Sequence, residues 1–237
     1  MIVIQNLTKR FGKFTALHNV SMECKQGKSI AFIGPNGCGK TSLIKSILGL
    51  NTIDEGHIFV NQKDVAEDYL YREDIGYMPQ FGKYPENMTI KETLDMIIKN
   101  RAYKGERDME LFEQYHIQDL YQKKMGSLSG GTIQKVSAVI AFMFNPNIII
   151  LDEPTAGLDP LASEILKNKI IKERQKGKLI IITSHLLSEL DDIINEVVFL
   201  SEGKVMFHQD VETLKSQTKE EKISQAITSI LKQLQYV

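Results

Sequence analysis

Cysteine is scarce: the 237 residues hold only Cys24 and Cys38, with no CxxC pair and no Cys/His cluster. That excludes a disulfide framework and a thiolate zinc site, and a reducing compartment is expected. An excess of charge of one sign is lacking too. Lys and Arg number 29 against 30 Asp and Glu, a formal charge of −1, so the basic footprint of nucleic-acid binding is absent and no nucleic acid is expected as a partner. Long hydrophobic runs are missing. The longest, about Ala138–Phe144, falls far short of the ~20 apolar residues that span a bilayer, so any membrane role is expected to come through a partner. The opening MIVIQNLTKRFGKF shows no basic stretch followed by an apolar core and a small-residue cleavage site, and no signal peptide is expected. No tandem repeat or low-complexity segment occurs. What is present, 42% hydrophobic and 25% charged residues, is ordinary globular composition, and at this length a core forms without staples.

Apolar strands alternating with amphipathic helices point to an α/β fold. Ser29–Ile33 reads as a buried strand, followed by a Gly-rich turn and a helix from about Thr41 to Leu48. Ile148–Leu151 and Leu179–Thr183 are short β-branched runs of the kind covered on both faces. Between about Tyr84 and Leu128 the strand signals vanish. There Pro85, Asn87 and Thr89 mark a loop and a helix start, MTIKETLDMIIKNRAYK reads as helix, and a second helical stretch is expected over about 108–122. Beyond Phe207 the chain reads as polar and then amphipathic helix. The expected organisation is one domain over residues 1–210, with a helical lobe at about 84–145, and a short helical tail over 211–237.

Gly34-Pro-Asn-Gly-Cys-Gly-Lys40-Thr41 fulfils G-x-x-x-x-G-K-S/T between a strand and a helix, the context its chemistry requires. Such glycines let the backbone wrap phosphate oxygens, and the helix that follows adds the positive end of its dipole. Gly34, Pro35, Asn36, Gly37, Cys38, Gly39, Lys40, Thr41 and Ser42 are therefore candidate nucleotide-binding residues. Lys40 is expected on the β- and γ-phosphates and the Thr41 hydroxyl on Mg2+. In IIILDEP, Asp152 and Glu153 close a strongly apolar strand, the end at which open α/β sheets bind ligands. Asp152 suits a hard divalent cation, and Glu153 suits the general base that polarises a water. Two exposed acids at a strand end would be unremarkable alone; the upstream phosphate motif changes that reading.

Taken together these residues resemble the ABC ATPase family over nearly the whole chain. The decisive segment is Leu128-Ser129-Gly130-Gly131-Thr132, similar to the family's LSGGQ signature with Thr132 in the final place. The resemblance implies a P-loop NTPase core with a mostly parallel central sheet, an N-terminal antiparallel β portion and an inserted helical lobe. It further implies that Ser129, Gly130 and Gly131 hold the γ-phosphate of ATP bound to an opposing subunit. With one copy of each motif, the working form would be a dimer, with a second nucleotide-binding subunit as partner. Phe11, in KRFGKF, stands where the family stacks an aromatic on adenine; a core Phe is the plain alternative. Gln80, in GYMPQ, matches the glutamine that touches Mg2+. Asp159, in Ala156-Gly157-Leu158-Asp159, matches the loop that communicates across the dimer, and His185, in ITSHLLSEL, the histidine that contacts the γ-phosphate.

With Lys40, Glu153 and His185 intact, the resemblance implies a working ATPase that couples ATP binding and hydrolysis to transmembrane permease subunits, from the cytoplasmic face of the membrane. The segments YREDIGYMPQFGKYPENMTIKE and SAVIAFMFNPNIIILDEPTAGLDP resemble the ATPase of the nitrous oxide reductase maturation transporter, linked to copper-site assembly; a multidrug or lipid exporter is the alternative. Outside transport, a soluble ABC ATPase of translation or DNA repair usually joins two nucleotide modules or carries coiled-coil insertions, and neither is visible. A non-enzymatic assembly module could dispense with Glu153, which is retained.

Overall fold

The structure, a computed structural model, describes residues 1–101, 103–184 and 190–233. It divides into two compact units, Met1–Tyr71 with Leu179–Val237, and Arg72–Lys178.

The first unit opens with an antiparallel sheet. β1 (Ile2–Phe11) pairs with β2 (Phe14–Cys24) on one side and with β4 (Glu55–Val60) on the other, and β5 (Lys63–Asp64) adds to β4. β3 (Ser29–Ile33), buried along its whole length, lies parallel to β8 (Leu179–Thr183) and to β9 (Glu196–Ser201). β10 (Lys204–Asp210) returns antiparallel on β9. The apolar β-branched runs of β3 and β8 suit strands that are buried on both faces. α1 (Lys40–Ile47) follows β3. The tail forms α6 (Val211–Thr218), capped by the Asp210 carboxylate on the Glu212 amide, and α7 (Ile223–Gln233). Lys219, at φ 60, separates the two helices of this tail. Val211, Leu214, Ile223, Ala226 and Ile227 are buried, and the Ile223 amide donates to Asp191 Oδ1 at 2.9 Å.

In the second unit β6 (Ile75–Met78) runs parallel to β7 (Ile148–Asp152). α2 (Ile90–Arg101) begins at a reciprocal capping box: the Thr89 amide donates to Glu92 Oε2 at 2.8 Å and the Glu92 amide to Thr89 Oγ1 at 3.1 Å. The second helical stretch expected over 108–122 is instead broken. α3 covers Glu110–Gln114, His116 turns to φ 51, and a short 3-10 helix, Ile117–Leu120, follows. A non-glycine residue in the left-handed region cannot continue a right-handed helix. α4 (Gly130–Met143) and α5 (Pro160–Gln175) carry the motif loops at their N-termini. The α/β class, with mostly parallel core pairing, an antiparallel N-terminal sheet and helical segments, is as expected. Among the described residues, no helix is long and apolar enough to cross a membrane. Cys24 and Cys38 are buried free thiols.

Candidate functional site

In the first unit the chain leaves β3 at Ile33 and enters α1 at Lys40 through the glycine loop. Gly34 (φ 149) and Gly39 (φ 108) sit where an L side chain is strained, and space forbids one as well. A Cβ on Gly34 would lie 2.0 Å from the Leu200 carbonyl oxygen, and one on Gly39 2.7 Å from that of Ala16. A Cβ on Gly37 would instead meet open space, so that stretch of backbone faces outward. Pro35 and Asn36 are exposed, as is Thr41, while Ser42 is half-buried.

Lys40 is 8% exposed. Its ammonium donates to the carbonyl oxygens of Gly34 at 2.6 Å and Pro35 at 3.2 Å, with Cys38 Sγ at 3.7 Å. Among the described residues it has no carboxylate partner. A nearly buried cation whose hydrogen-bond partners are all neutral, beside outward-facing backbone, favours an anion. Phe11 is 50% exposed near the tip of the β1–β2 hairpin, directly across from Phe14, so it is not a core residue. The Lys9 ammonium lies 5.0 Å from its ring centroid.

In the second unit Asp152 ends β7 at 5% exposure. Glu153 follows at φ 51, a sharp turn that takes it off the strand. Gln80, just beyond β6, donates from Nε2 to Glu153 Oε2 at 2.8 Å, and its own backbone oxygen accepts from Gln134 Nε2 of α4 at 2.7 Å. Burial, aided by the charge of Asp152, pushes the Tyr77 hydroxyl up to about 12. The Asp152 carboxylate and the Gln80 amide in the second unit, and separately the Thr41 hydroxyl in the first, each offer oxygen of the kind that Mg2+ takes.

Ser129 caps α4, its Oγ accepting the Thr132 amide at 3.2 Å, so the amides of the signature segment open a helix. Gly131 is required by contact: a Cβ there would lie 2.6 Å from the Gly157 carbonyl oxygen. Asp159 caps α5 by accepting the Ala162 amide at 2.8 Å and pairs with Lys135 of α4 at 2.7 Å. The Lys135 hydrogen bond, with the Ala162 amide second, holds the Asp159 carboxyl below the usual carboxylate range. A cavity of about 260 Å³ is lined by Gln80, Phe81, Gly130, Gly131, Ala156 and Gly157, among others. The second unit therefore brings together Gln80 with Glu153, and the signature with the Asp159 loop. His185 lies outside the described residues.

Sequence reasoning passed over Gln134 and Lys135. Their signal was position: three and four residues beyond Gly131, within one helical turn of the signature.

The family model described as "ABC transporter" matches residues 17–156. The uncharacterized ABC transporter ATP-binding protein YhaQ of Bacillus subtilis is 31% identical over 220 residues, covering 91% of this chain and 73% of that protein. The lantibiotic transport ATP-binding protein SrtF of Streptococcus pyogenes is 30% identical over 210 residues, covering 89% of this chain and 91% of SrtF. A solved ATP-binding subunit of an ABC transporter superposes with a TM-score of 0.89 at 26% identity, over 96% of this chain and 98% of that one. With the phosphate loop, the strand-end carboxylates and the signature helix in place, the chain belongs to the ABC transporter family as an ATP-binding, ATP-hydrolysing subunit.

Proposed function

We propose that this subunit powers a membrane transporter as one half of a dimer that ATP closes and hydrolysis opens. The observation that carries the reading is Glu153, an acid turned off the end of β7 and held by Gln80 Nε2 at 2.8 Å. A module that merely bound nucleotide would need no such group. Lys40 and the loop amides would take the β- and γ-phosphates, Phe11 the adenine, and Ser129, Gly130 and Gly131 the γ-phosphate of the opposing subunit's ATP. Magnesium, when bound, would neutralise phosphate charge, and we assign Thr41, Asp152 and Gln80 as its donors.

In the reaction, Glu153 accepts a proton from water as the water oxygen bonds to the γ-phosphorus, and the bond from that phosphorus to the β,γ-bridging oxygen breaks to release ADP. Gln80 orients Glu153. His185 is assigned to the γ-phosphate on its motif alone. Loss of the shared γ-phosphate removes the anion that both subunits hold, so the halves part. Asp159 would carry this change across the dimer. The subunit would work on the inner face of the cell membrane, bound there through its permease.

For cargo we propose copper-site assembly of nitrous oxide reductase. This rests on the two segments spanning Tyr71–Glu92 and Ser137–Pro160, with a multidrug or lipid exporter as second reading. The test is affinity purification from gently solubilised native membranes with identification of everything retained. A multi-span protein in comparable amount is expected, with a periplasmic maturation protein if the cargo reading holds. Recovery of ribosomes or repair factors alone would overturn the transporter reading and leave the ATPase intact.

A further inference from the structure

Thr132, where the family signature has glutamine, stands in direct contact with the residue proposed to hold phosphate. Ser129 Oγ accepts the Thr132 amide proton at 3.2 Å and lies 2.8 Å from Thr132 Oγ1. Among the described residues neither hydroxyl has another partner. A serine hydroxyl offers one proton and two lone pairs. We propose that Thr132 is a positioning residue: its amide and its hydroxyl both donate to Ser129 Oγ, so the single proton of Ser129 points outward to the anion at the head of α4. This deepens, and rests on, the reading that Ser129–Gly131 hold the γ-phosphate of the opposing subunit.

The reverse proton order, with Ser129 donating to Thr132 Oγ1, leaves Ser129 no proton to offer a phosphate oxygen. A charged acceptor makes the stronger hydrogen bond and selects the outward order. The β-branched side chain of Thr132 restricts χ1 and fixes where its oxygen lies. Its place is also set by the helix: the third residue after an N-cap returns to the capping side chain.

Thr132→Val separates this role from capping. Valine keeps the shape and the backbone amide, hence the cap bond to Ser129, and deletes only the hydroxyl. The assay is ATP-dependent dimerisation in a Glu153→Gln background, followed by sedimentation against Mg-ATP concentration. Thr132→Val is expected to raise the half-dimerising ATP concentration by roughly five- to tenfold, the effect of one hydrogen bond, and Thr132→Ser to restore it. Binding of a fluorescent ATP analogue to the monomer should not change. Ser129→Ala should weaken dimerisation at least as much, and adding Thr132→Val to it should cost nothing further, since no proton remains to be aimed. If Ser129→Ala weakens the dimer while Thr132→Val does not, or if the two losses simply add, the positioning role is overturned and the signature reading stands. If Ser129→Ala leaves dimerisation unchanged, the signature reading itself falls.

Discussion

Glu173 on α5 has a fully buried side chain ringed by three ammonium groups, those of Lys169 at 3.0 Å, Lys176 at 2.7 Å and Lys178 at 2.5 Å. Burial alone would raise its carboxyl; the hydrogen bonds from Lys176, Lys178 and Lys169 outweigh that and lower it from 4.5 to about 2. Because the folded value is the depressed one, the stability it contributes is present above the unfolded pKa and is lost as pH falls from ~4.5 to ~2. A displacement of this size is worth ~3 kcal/mol. Glu173→Gln keeps the shape, deletes the charge and leaves the buried ammonium of Lys169 with Asp108 and Glu110 only. At about pH 7, urea unfolding should show the variant less stable by ~3 kcal/mol, in keeping with buried ion pairs that lose one partner. The gap should close as pH falls through that window, because the wild-type carboxyl then becomes neutral too. A gap under ~1 kcal/mol at neutral pH, or one unchanged at about pH 3, would refute the assignment of Glu173 as a buried, ionised hub.

Lys40→Ala should weaken ATP binding by roughly 10- to 100-fold, the worth of a charge-assisted contact, measured by titration with a fluorescent analogue; unaltered binding would remove Lys40 from the phosphate site. Glu153→Gln should lower ATP turnover by roughly 10²- to 10⁴-fold and leave an ATP-bound dimer in size-exclusion chromatography, and a monomer at saturating ATP would count against the sandwich. Gly39→Ala must place a Cβ 2.7 Å from the Ala16 carbonyl oxygen at φ 108. Strain of ~1–3 kcal/mol should cut ATP affinity about tenfold or more, and wild-type affinity would show that the loop relaxes freely.

The motif loops were legible because backbone and chemistry constrain them together. Gly34 and Gly39 are needed both for their φ and for the carbonyls that crowd them, and a fully buried strand such as Ile148–Asp152 announces itself by composition. The lobe was harder. Periodicity over 108–122 cannot see His116 in the left-handed region, so one helix was expected where α3 and a 3-10 turn stand. The Lys169 cluster was invisible for another reason. Lys169 and Glu173, four apart on a helix, read as a solvated i,i+4 pair. Asp108, 61 residues from Lys169 in sequence, and Lys178, just past the end of α5, complete the cluster, and i,i+4 spacing carries no trace of them.

Contacts within the second unit tie the signature segment and the Asp159 loop to the helices behind them. Gly131 abuts the Gly157 carbonyl, and Lys135 of the same helix holds Asp159. Any anion drawn to the head of α4 therefore bears on a helix already fastened to the Asp159 loop. Asp159 uses its other oxygen to cap α5, and Tyr115 fixes that first turn by donating its hydroxyl proton to the Ala162 carbonyl oxygen at 3.0 Å. About two turns further along α5, Lys169 pins it to Asp108 and Glu110, just before and at the start of α3. Each link is a charged or hydrogen-bonded contact between packed elements, which shift together more readily than they deform. α5 is thereby fastened at both its first turn, through Asp159 and Tyr115, and its second half, through Lys169 and Glu173.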